Sequence, residues 1–263
     1  MRISYLREAR VMKTPTTAYY PHGKRLIIVP AFNEAGSIAH VVQGLAESLP
    51  DADIIVIDDG STDETAVKVP PPARVVTLPF NLGIGGAMQT GFRYAAMHGY
   101  DVAVQVDGDG QHPPAEVKRL LEHLSESKCD MVVGSRFLAP SGYPQTMTRM
   151  TGIRILRAWI RLLSGKTITD CTSGFRAVNR HVISAFAHWY PDDYPEPEVI
   201  MLLARCGYRI EEIPVRMEER TTGQTSIPFF RGLFYVIKVI VALLLDVTRQ
   251  PWPRRHHKSA ANE

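Results

Sequence analysis

The chain has 263 residues, 45% of them hydrophobic and 22% charged, enough for one large α/β domain with appendages or for two small domains, the first being expected. A formal net charge of +3 is too small for a nucleic-acid binder, although basic residues gather toward the C-terminal half. Cys129, Cys171 and Cys206 are odd in number, widely spaced and without a CxxC pair, which suggests neither a disulfide framework nor a zinc site and suits a reducing compartment.

Residues 1–24 carry charges throughout and no apolar run of signal-peptide length, so they are expected to form a loose leader on a cytosolic chain. From Arg25 the pattern is regular. RLIIVP (25–30) reads as a buried strand, and GSIAHVVQGLAESL places Ile38, Val41, Val42, Leu45 and Leu49 on one helical face. DIIVIDDGSTDET repeats the plan, an apolar run ending in Asp58 and Asp59 before a Gly-Ser-Thr-Asp turn expected to start the next helix. RVVTLP then gives a third strand, GGAMQTGFRYAAMHG a helix, DVAVQVD a fourth strand, PAEVKRLLEHLSES a helix and DMVVGSR a fifth strand. Such alternation, with continuous apolar strands, implies a mostly parallel sheet covered on both faces.

Farther on, TRMTGIRILRAWIRLLSG (148–165) spaces Arg154, Arg157 and Arg161 by three and four, opposite Ile153, Leu156, Trp159, Ile160 and Leu163. It suits a helix lying in a membrane interface and equally an amphipathic helix packed on the core. DYPEPEVIMLLARCG offers Glu196 and Glu198 at a helix start, where acidic residues also complement the macrodipole. IPFFRGLFYVIKVIVALLLDVT is the most apolar stretch, but Arg231, Lys238 and Asp246 divide it, and a bilayer span needs about 20 predominantly apolar residues. Residues 228–248 are therefore expected to lie in the membrane interface or against a small membrane-protein partner, with the basic 249–263 tail attracted to anionic lipid.

In a parallel sheet the ligand sits outside the carboxyl ends of the strands. Here those ends carry Asn33 and Glu34, Asp58 and Asp59, Asn81 with Gly83, Gly85 and Gly86, Asp107 and Asp109, and Ser135 with Arg136. Asp and Asn are ordinary turn formers, yet five segments bring them to one edge. As i and i+2 residues of a strand, Asp107 and Asp109 would project to one side with Cα atoms about 7 Å apart. Two carboxylates about 4 Å apart repel by about 4 kcal/mol at an effective dielectric of 20. Protonation, arginines or a divalent cation would offset this, and Mg²⁺ takes one or two carboxylates plus substrate phosphates and water. Gly108 between them is expected to leave space for a bulky ligand. An EF-hand loop from Asp107 fails because His112 and Lys118 occupy its sixth and twelfth positions. GIGGAMQTG has Met88 in place of the third glycine of a dinucleotide fingerprint, and SGKT has Ile160 in place of the first P-loop glycine. An aspartyl-phosphate phosphatase survives the Asp-x-Asp spacing but explains none of the other four loops.

VPAFNEAGSI, VIDDGSTDET, NLGIGGAMQTGFRYA, VQVDGDGQHPP, VVGSRF, DCTSGFRAVNR and RTTGQTS follow one another in this chain as in family 2 glycosyltransferases of the GT-A fold. The chain resembles their polyprenyl-phosphate branch, which includes dolichyl-phosphate mannose synthases, over residues 25–227. That resemblance implies a Rossmann-like α/β domain with a C-terminal apolar helix. It implies a donor pocket of Pro30, Phe32, Asn33, Glu34, Asp58, Asp59, Asn81, Gly83, Asp107 and Gly108, with Phe32 replacing a tyrosine. Asp107, Asp109 and Gln111 match the residues that hold Mg²⁺ or Mn²⁺. Asp109, Glu198 and Arg220 match the catalytic positions, Arg220 and Gly223 belonging to a lid that here lacks the usual lysine after its serine. Arg136, Arg149 and Arg176 are the candidates for the acceptor phosphate. The implied reaction is an inverting transfer from a UDP- or GDP-sugar to a polyprenyl phosphate by a peripheral protein at the cytosolic membrane face. Two alternatives stay open: transfer to a saccharide hydroxyl, with Glu196 or Glu198 as base, and a non-catalytic nucleotide-sugar-binding subunit.

Overall fold

The computed structural model describes residues 23–138, 147–192, 195–218, 229–246 and 248. The leader to residue 22, Arg220 and Gly223, the tail from 249 and the side chain of Arg149 lie outside the described residues. In chain order the elements are β1 (Arg25–Ala31), α1 (Ile38–Ser48), β2 (Ala52–Asp58), β3 (Arg74–Thr77), α2 (Gly83–Met97), β4 (Val102–Gln105), α3 (Pro114–Ser127), β5 (Met131–Ser135), α4 (Met147–Ser164), β6 (Arg176–Asn179), α5 (Arg180–His188), α6 (Pro195–Arg205), β7 (Ile210–Pro214) and α7 (Phe229–Asp246).

The strands form one seven-stranded sheet in the order β3-β2-β1-β4-β6-β5-β7. All neighbours are parallel except β6, which runs antiparallel to both β4 and β5. Strand alternation sends Ile28, Ile55 and Ile57 to the face covered by α2, α4, α5 and α6, and Ile27, Val29, Ile54 and Val56 to the face covered by α1 and α3. Both faces are buried along most of the central strands β1, β2 and β4, which therefore read as apolar runs. Strand order reverses between β1 and β4, which makes their carboxyl ends the topological switch point.

Two local expectations are corrected, and α4 meets one of its two alternatives. Gly-Ser-Thr-Asp does not start a helix: residues 60–68 form bends and turns, closed by the Lys68 N–H to Glu64 O bond. Three prolines, Pro70 to Pro72, follow at once and cannot continue a helix. Asp107 and Asp109 are not strand residues either, because β4 ends at Gln105 and the chain turns at Gly110 with φ +81°. Their relation is therefore set by a loop and not by the pleat. Lastly, α4 buries Ile153, Leu156 and Ile160, with Trp159 and Leu163 partly buried, against the core and packs on α6 and α7. Its apolar side faces protein, as in an ordinary amphipathic helix, and its outer face carries Arg154 and Arg161.

Candidate active site

The switch point is built by hydrogen bonds that lock one strand end to the next. Asn33 leaves β1 with φ 56°, a left-handed conformation that asparagine tolerates. Its N–H donates to Ser61 Oγ at 2.9 Å, and its Oδ1 accepts from the Thr62 N–H at 2.9 Å. The Glu34 N–H donates to Thr65 Oγ1 at 2.8 Å, so the loops after β1 and β2 form one unit. Ser37 then carries its hydroxyl 2.7 Å from Gly108 O, tying α1 to the loop after β4.

Asp58 and Asp59 are both buried. Asp58 Oδ1 accepts from the Ser61 N–H at 3.1 Å. Asp59 spans the first turn of α2, one oxygen taking the Leu82 N–H at 2.7 Å and the other the Gly83 N–H at 2.9 Å. Burial pushes the Asp59 carboxyl up, the two N–H donors pull it back down, and the Asp58 charge adds to the rise. The positive end of α2 thus receives a carboxylate from its own chain. Asn81 Oδ1 also accepts from the Gly83 N–H, at 3.1 Å. Phe32 is 44% exposed at the mouth of this region.

The loop after β4 holds the two aspartates. The Asp107 N–H donates to His112 Nδ1 at 3.1 Å, which leaves the neutral imidazole with its proton on Nε2, 3.9 Å from Asp107 Oδ2. His112 is buried and stacked on Phe175, with centroids 4.4 Å apart. Burial lowers its pKa, and the Asp107 and Asp109 charges oppose that shift. Asp109 is buried and its Oδ1 accepts from the Gln111 N–H at 3.0 Å, while the Asp107 side chain is 38% exposed. Gln111 also pairs with the segment after β7, its carbonyl accepting from the Glu218 N–H at 3.0 Å. Gly108 does not open space toward a ligand: a Cβ there would lie 3.2 Å from Pro30 O and 3.5 Å from Ala31 and Ile38. Its role is the close crossing of this loop over the end of β1.

Arg136 leaves β5 and forks onto Asp170, Nε to Oδ2 at 2.7 Å and Nη2 to Oδ1 at 2.8 Å, with Thr172 Oγ1 also 2.9 Å from Nη2. Both partners are buried. Burial alone would raise the Asp170 carboxyl, but the Arg136 hydrogen bonds and charge hold it below its ordinary value. Glu212 of β7 steadies the same loop by accepting from the Thr169 and Asp170 N–H groups at 2.6 and 2.8 Å. Arg176, 3% exposed, starts β6 beside Gln105 and donates to Ser173 O at 2.8 Å and Glu196 O at 3.0 Å. Glu196 is half-buried. Burial raises its carboxyl, Arg176 opposes the rise and Asp107 adds to it. Glu198 is buried among Pro197, Val199 and Ile200.

The loops carrying the sequence candidates after β1, β2, β3, β4 and β5 therefore meet at one sheet edge. Missed from sequence were His112, Asp170 and Glu212, which hold that edge in shape. His112 stood in the quoted VQVDGDGQHPP and Asp170 in DCTSGFRAVNR, but Asp170 and Glu212 act through partners distant in the chain, which spacing does not reveal. Among the described residues no group of three or more His, Cys, Asp or Glu side chains could hold a metal ion. Two carboxylates in one loop supply hard oxygen donors but an incomplete shell, which fits a cation completed by a substrate's phosphates and water. The three cysteines are buried, with Cys129 pushed up to about 11 and Cys171 to about 12 by burial, so they are inert thiols.

A parallel sheet with one reversed strand and an acidic loop at the β1/β4 switch point defines a GT-A glycosyltransferase. The fold matches glucosyl-3-phosphoglycerate synthase of Mycobacterium tuberculosis, solved with Mn²⁺, UDP and phosphoglyceric acid, at TM-score 0.66 and 19% identity over 87% of this chain and 80% of that one. The chain belongs to glycosyl transferase family 2, whose model matches residues 26–186. It is 31% identical over 215 residues to the undecaprenyl-phosphate mannosyltransferase of Micrococcus luteus, covering 76% of this chain and 86% of that protein. Polyprenol monophosphomannose synthase of Mycolicibacterium smegmatis is 30% identical over 229 residues, 82% of this chain and 85% of the relative.

Proposed function

We propose that this glycosyltransferase moves a sugar, with inversion, from a UDP- or GDP-sugar to a polyprenyl phosphate at the cytosolic membrane face. The observation that carries the donor half is the acidic loop, with Asp107 exposed and Asp109 held by the Gln111 N–H, at the switch point where the loops after β1 and β2 interlock. The acceptor half is supported by the two relatives, both named for transfer to polyprenyl phosphates.

Asp107 and Asp109, with Gln111 beside them, would hold Mg²⁺ or Mn²⁺, which supplies Lewis-acid stabilisation to a departing diphosphate. Pro30, Phe32, Asn33, Glu34, Asp58, Asp59, Asn81, Gly83 and Gly108 shape the donor pocket. Within it Asn33, Asp58 and Asp59 act largely by fixing loops to one another. An acceptor phosphate oxygen attacks the anomeric carbon from the face opposite the diphosphate; the new C–O bond forms as the old one breaks, and the nucleoside diphosphate leaves. A phosphate is already anionic, so no carboxylate base is required. Arg149, Arg176 and Arg220 are assigned to phosphate charge, while Arg136 positions the 170–172 loop through Asp170.

A second reading rests on Glu196, whose raised carboxyl and proximity to Arg176 would suit a base for a hydroxyl acceptor. Incubation of radiolabelled UDP- and GDP-sugars with the protein, Mn²⁺ and undecaprenyl-phosphate vesicles separates the two. Label in the organic phase is expected. Label confined to water-soluble saccharide would transfer the assignment to the second reading.

A further inference from the structure

We infer that Arg157 of α4, together with Arg176, forms the seat for the acceptor's phosphate, beside an Arg136 whose Nε and Nη2 are engaged by Asp170. This inference rests on the lipid-phosphate reading above. Arg157 Nε and Nη2 are buried and have no hydrogen-bond partner, and the same holds for Arg176 Nη1. A buried guanidinium N–H without an acceptor carries a desolvation cost that a native structure seldom leaves unmet. Three such donors belong to two arginines that border one loop: Arg176 donates to Ser173 O, and Arg157 lies over Phe137, next in the chain to the Arg136 that forks onto Asp170.

Asp170 and Glu196 do not answer these donors with their carboxylates. Asp170 is matched by the Arg136 fork, and Arg176 reaches Glu196 through its backbone carbonyl. Phe137 fixes the Arg157 head, which lies 4.7 Å over the ring, while Arg136 sits 5.7 Å from the same ring. An oxyanion would satisfy these donors, and a phosphate monoester matches the planar forks of two guanidiniums. The donor's diphosphate is the other phosphate in the reaction. Its place is set by Asp107 and Asp109 in the loop after β4, whereas Arg157 packs beside Phe137, after β5. On its outer face α4 also exposes Ile155 and Leu162, an apolar surface suited to a prenyl chain.

Calorimetry on the full chain with geranyl phosphate, geraniol, and UDP plus Mn²⁺ tests the seat. The wild type is expected to bind geranyl phosphate and not geraniol. Arg157→Gln is expected to weaken geranyl phosphate by roughly ten- to hundredfold, the scale of a lost charge-assisted pair, and to leave UDP unchanged, with partial recovery in Arg157→Lys. Its unliganded melting temperature should stay level or rise, because an unmatched buried charge is removed. Unchanged geranyl phosphate binding in Arg157→Gln would overturn the seat. So would equal loss of both ligands with a lower melting temperature, which would make Arg157 a packing residue. If the wild type moves no sugar to polyprenyl phosphate yet binds geranyl phosphate through Arg157, the proposed reaction falls and the phosphate seat stands. Transfer with an unchanged KM for polyprenyl phosphate in Arg157→Gln leaves the reaction standing and removes the seat.

Discussion

Asp107 and Asp109 are neighbours in sequence but differ in kind. Asp109 is buried and holds a backbone N–H of its own loop, whereas Asp107 is 38% exposed at its side chain. Asp107→Asn is therefore the cleaner probe of cation binding. It is expected to lower transfer by ~100-fold, the order found when one charge-stabilising group is removed, with little change in melting temperature. Stabilisation by UDP plus Mn²⁺, a linkage effect of ligand binding to the native state, should disappear with it; stabilisation equal to wild type would remove Asp107 from the cation site. The Arg136–Asp170 pair gives the opposite profile. Asp170→Asn leaves a buried guanidinium without its counter-charge and is expected to cost about 3 kcal/mol in urea unfolding. The Asp170 pKa is lower in the folded chain than in the unfolded one, so the pair's contribution is present above the unfolded value near about 4 and fades as pH falls through the folded value. The gap between wild type and Asp170→Asn should thus be full at pH 7 and shrink in acid. Sequence exposed the acidic loop because a strand end and two prolines frame it. It concealed the Asp170 partnership, formed across 34 residues, and it suggested for Gly108 a ligand-facing role that belongs to packing against Pro30.

Elements whose burial follows a local period were legible. Ile38, Val41, Val42, Leu45 and Leu49 are all buried, as their spacing requires. β6 was not legible: it has four residues, RAVN, and owes its place to antiparallel pairing with β4 and β5. A short strand flanked by loop and helix carries too few alternations to announce itself. Glycine placement in α2 shows tertiary contact overriding helix propensity. Alanine at position 85 should favour the helix by about 1 kcal/mol. Its Cβ, however, would clash with the carbonyl oxygens of Pro191 and Asp192, which are backbone atoms and cannot rotate away. Gly85→Ala is accordingly expected to destabilise by about 1–3 kcal/mol, the usual scale of overpacking, and to displace the approach to α6, where Glu196 lies. Urea unfolding measures the first effect, and a melting temperature at or above wild type would show that the 191–192 turn yields instead.

At the scale of the whole molecule, the proposed polyprenyl-phosphate acceptor would require the protein to meet a bilayer. Among the described residues no helix is long and apolar enough to cross a membrane. On α7, Val239 and Leu243 are buried, while Val241, Leu244 and Leu245 are 50%, 45% and 58% exposed. The packed neighbour α4 exposes Ile155 and Leu162 alongside Arg154 and Arg161. Apolar side chains that enter the acyl boundary and arginines that meet anionic headgroups are the two contributions to interfacial binding. The second is screened by salt, with a Debye length of about 8 Å at physiological ionic strength. Sedimentation with vesicles should thus show binding to phosphatidylglycerol-containing membranes that weakens, without vanishing, as salt rises. The double variant Leu244→Glu, Leu245→Glu adds negative charge and removes apolar area at exposed positions, so it should lower vesicle binding by about tenfold or more while leaving the melting temperature and UDP binding unchanged. Polyprenyl-phosphate transfer in vesicles would fall with it, and transfer to a soluble short-chain prenyl phosphate would not. Equal activity of this variant and the wild type on vesicles would mean that the α4/α7 face is not the route to the proposed lipid acceptor.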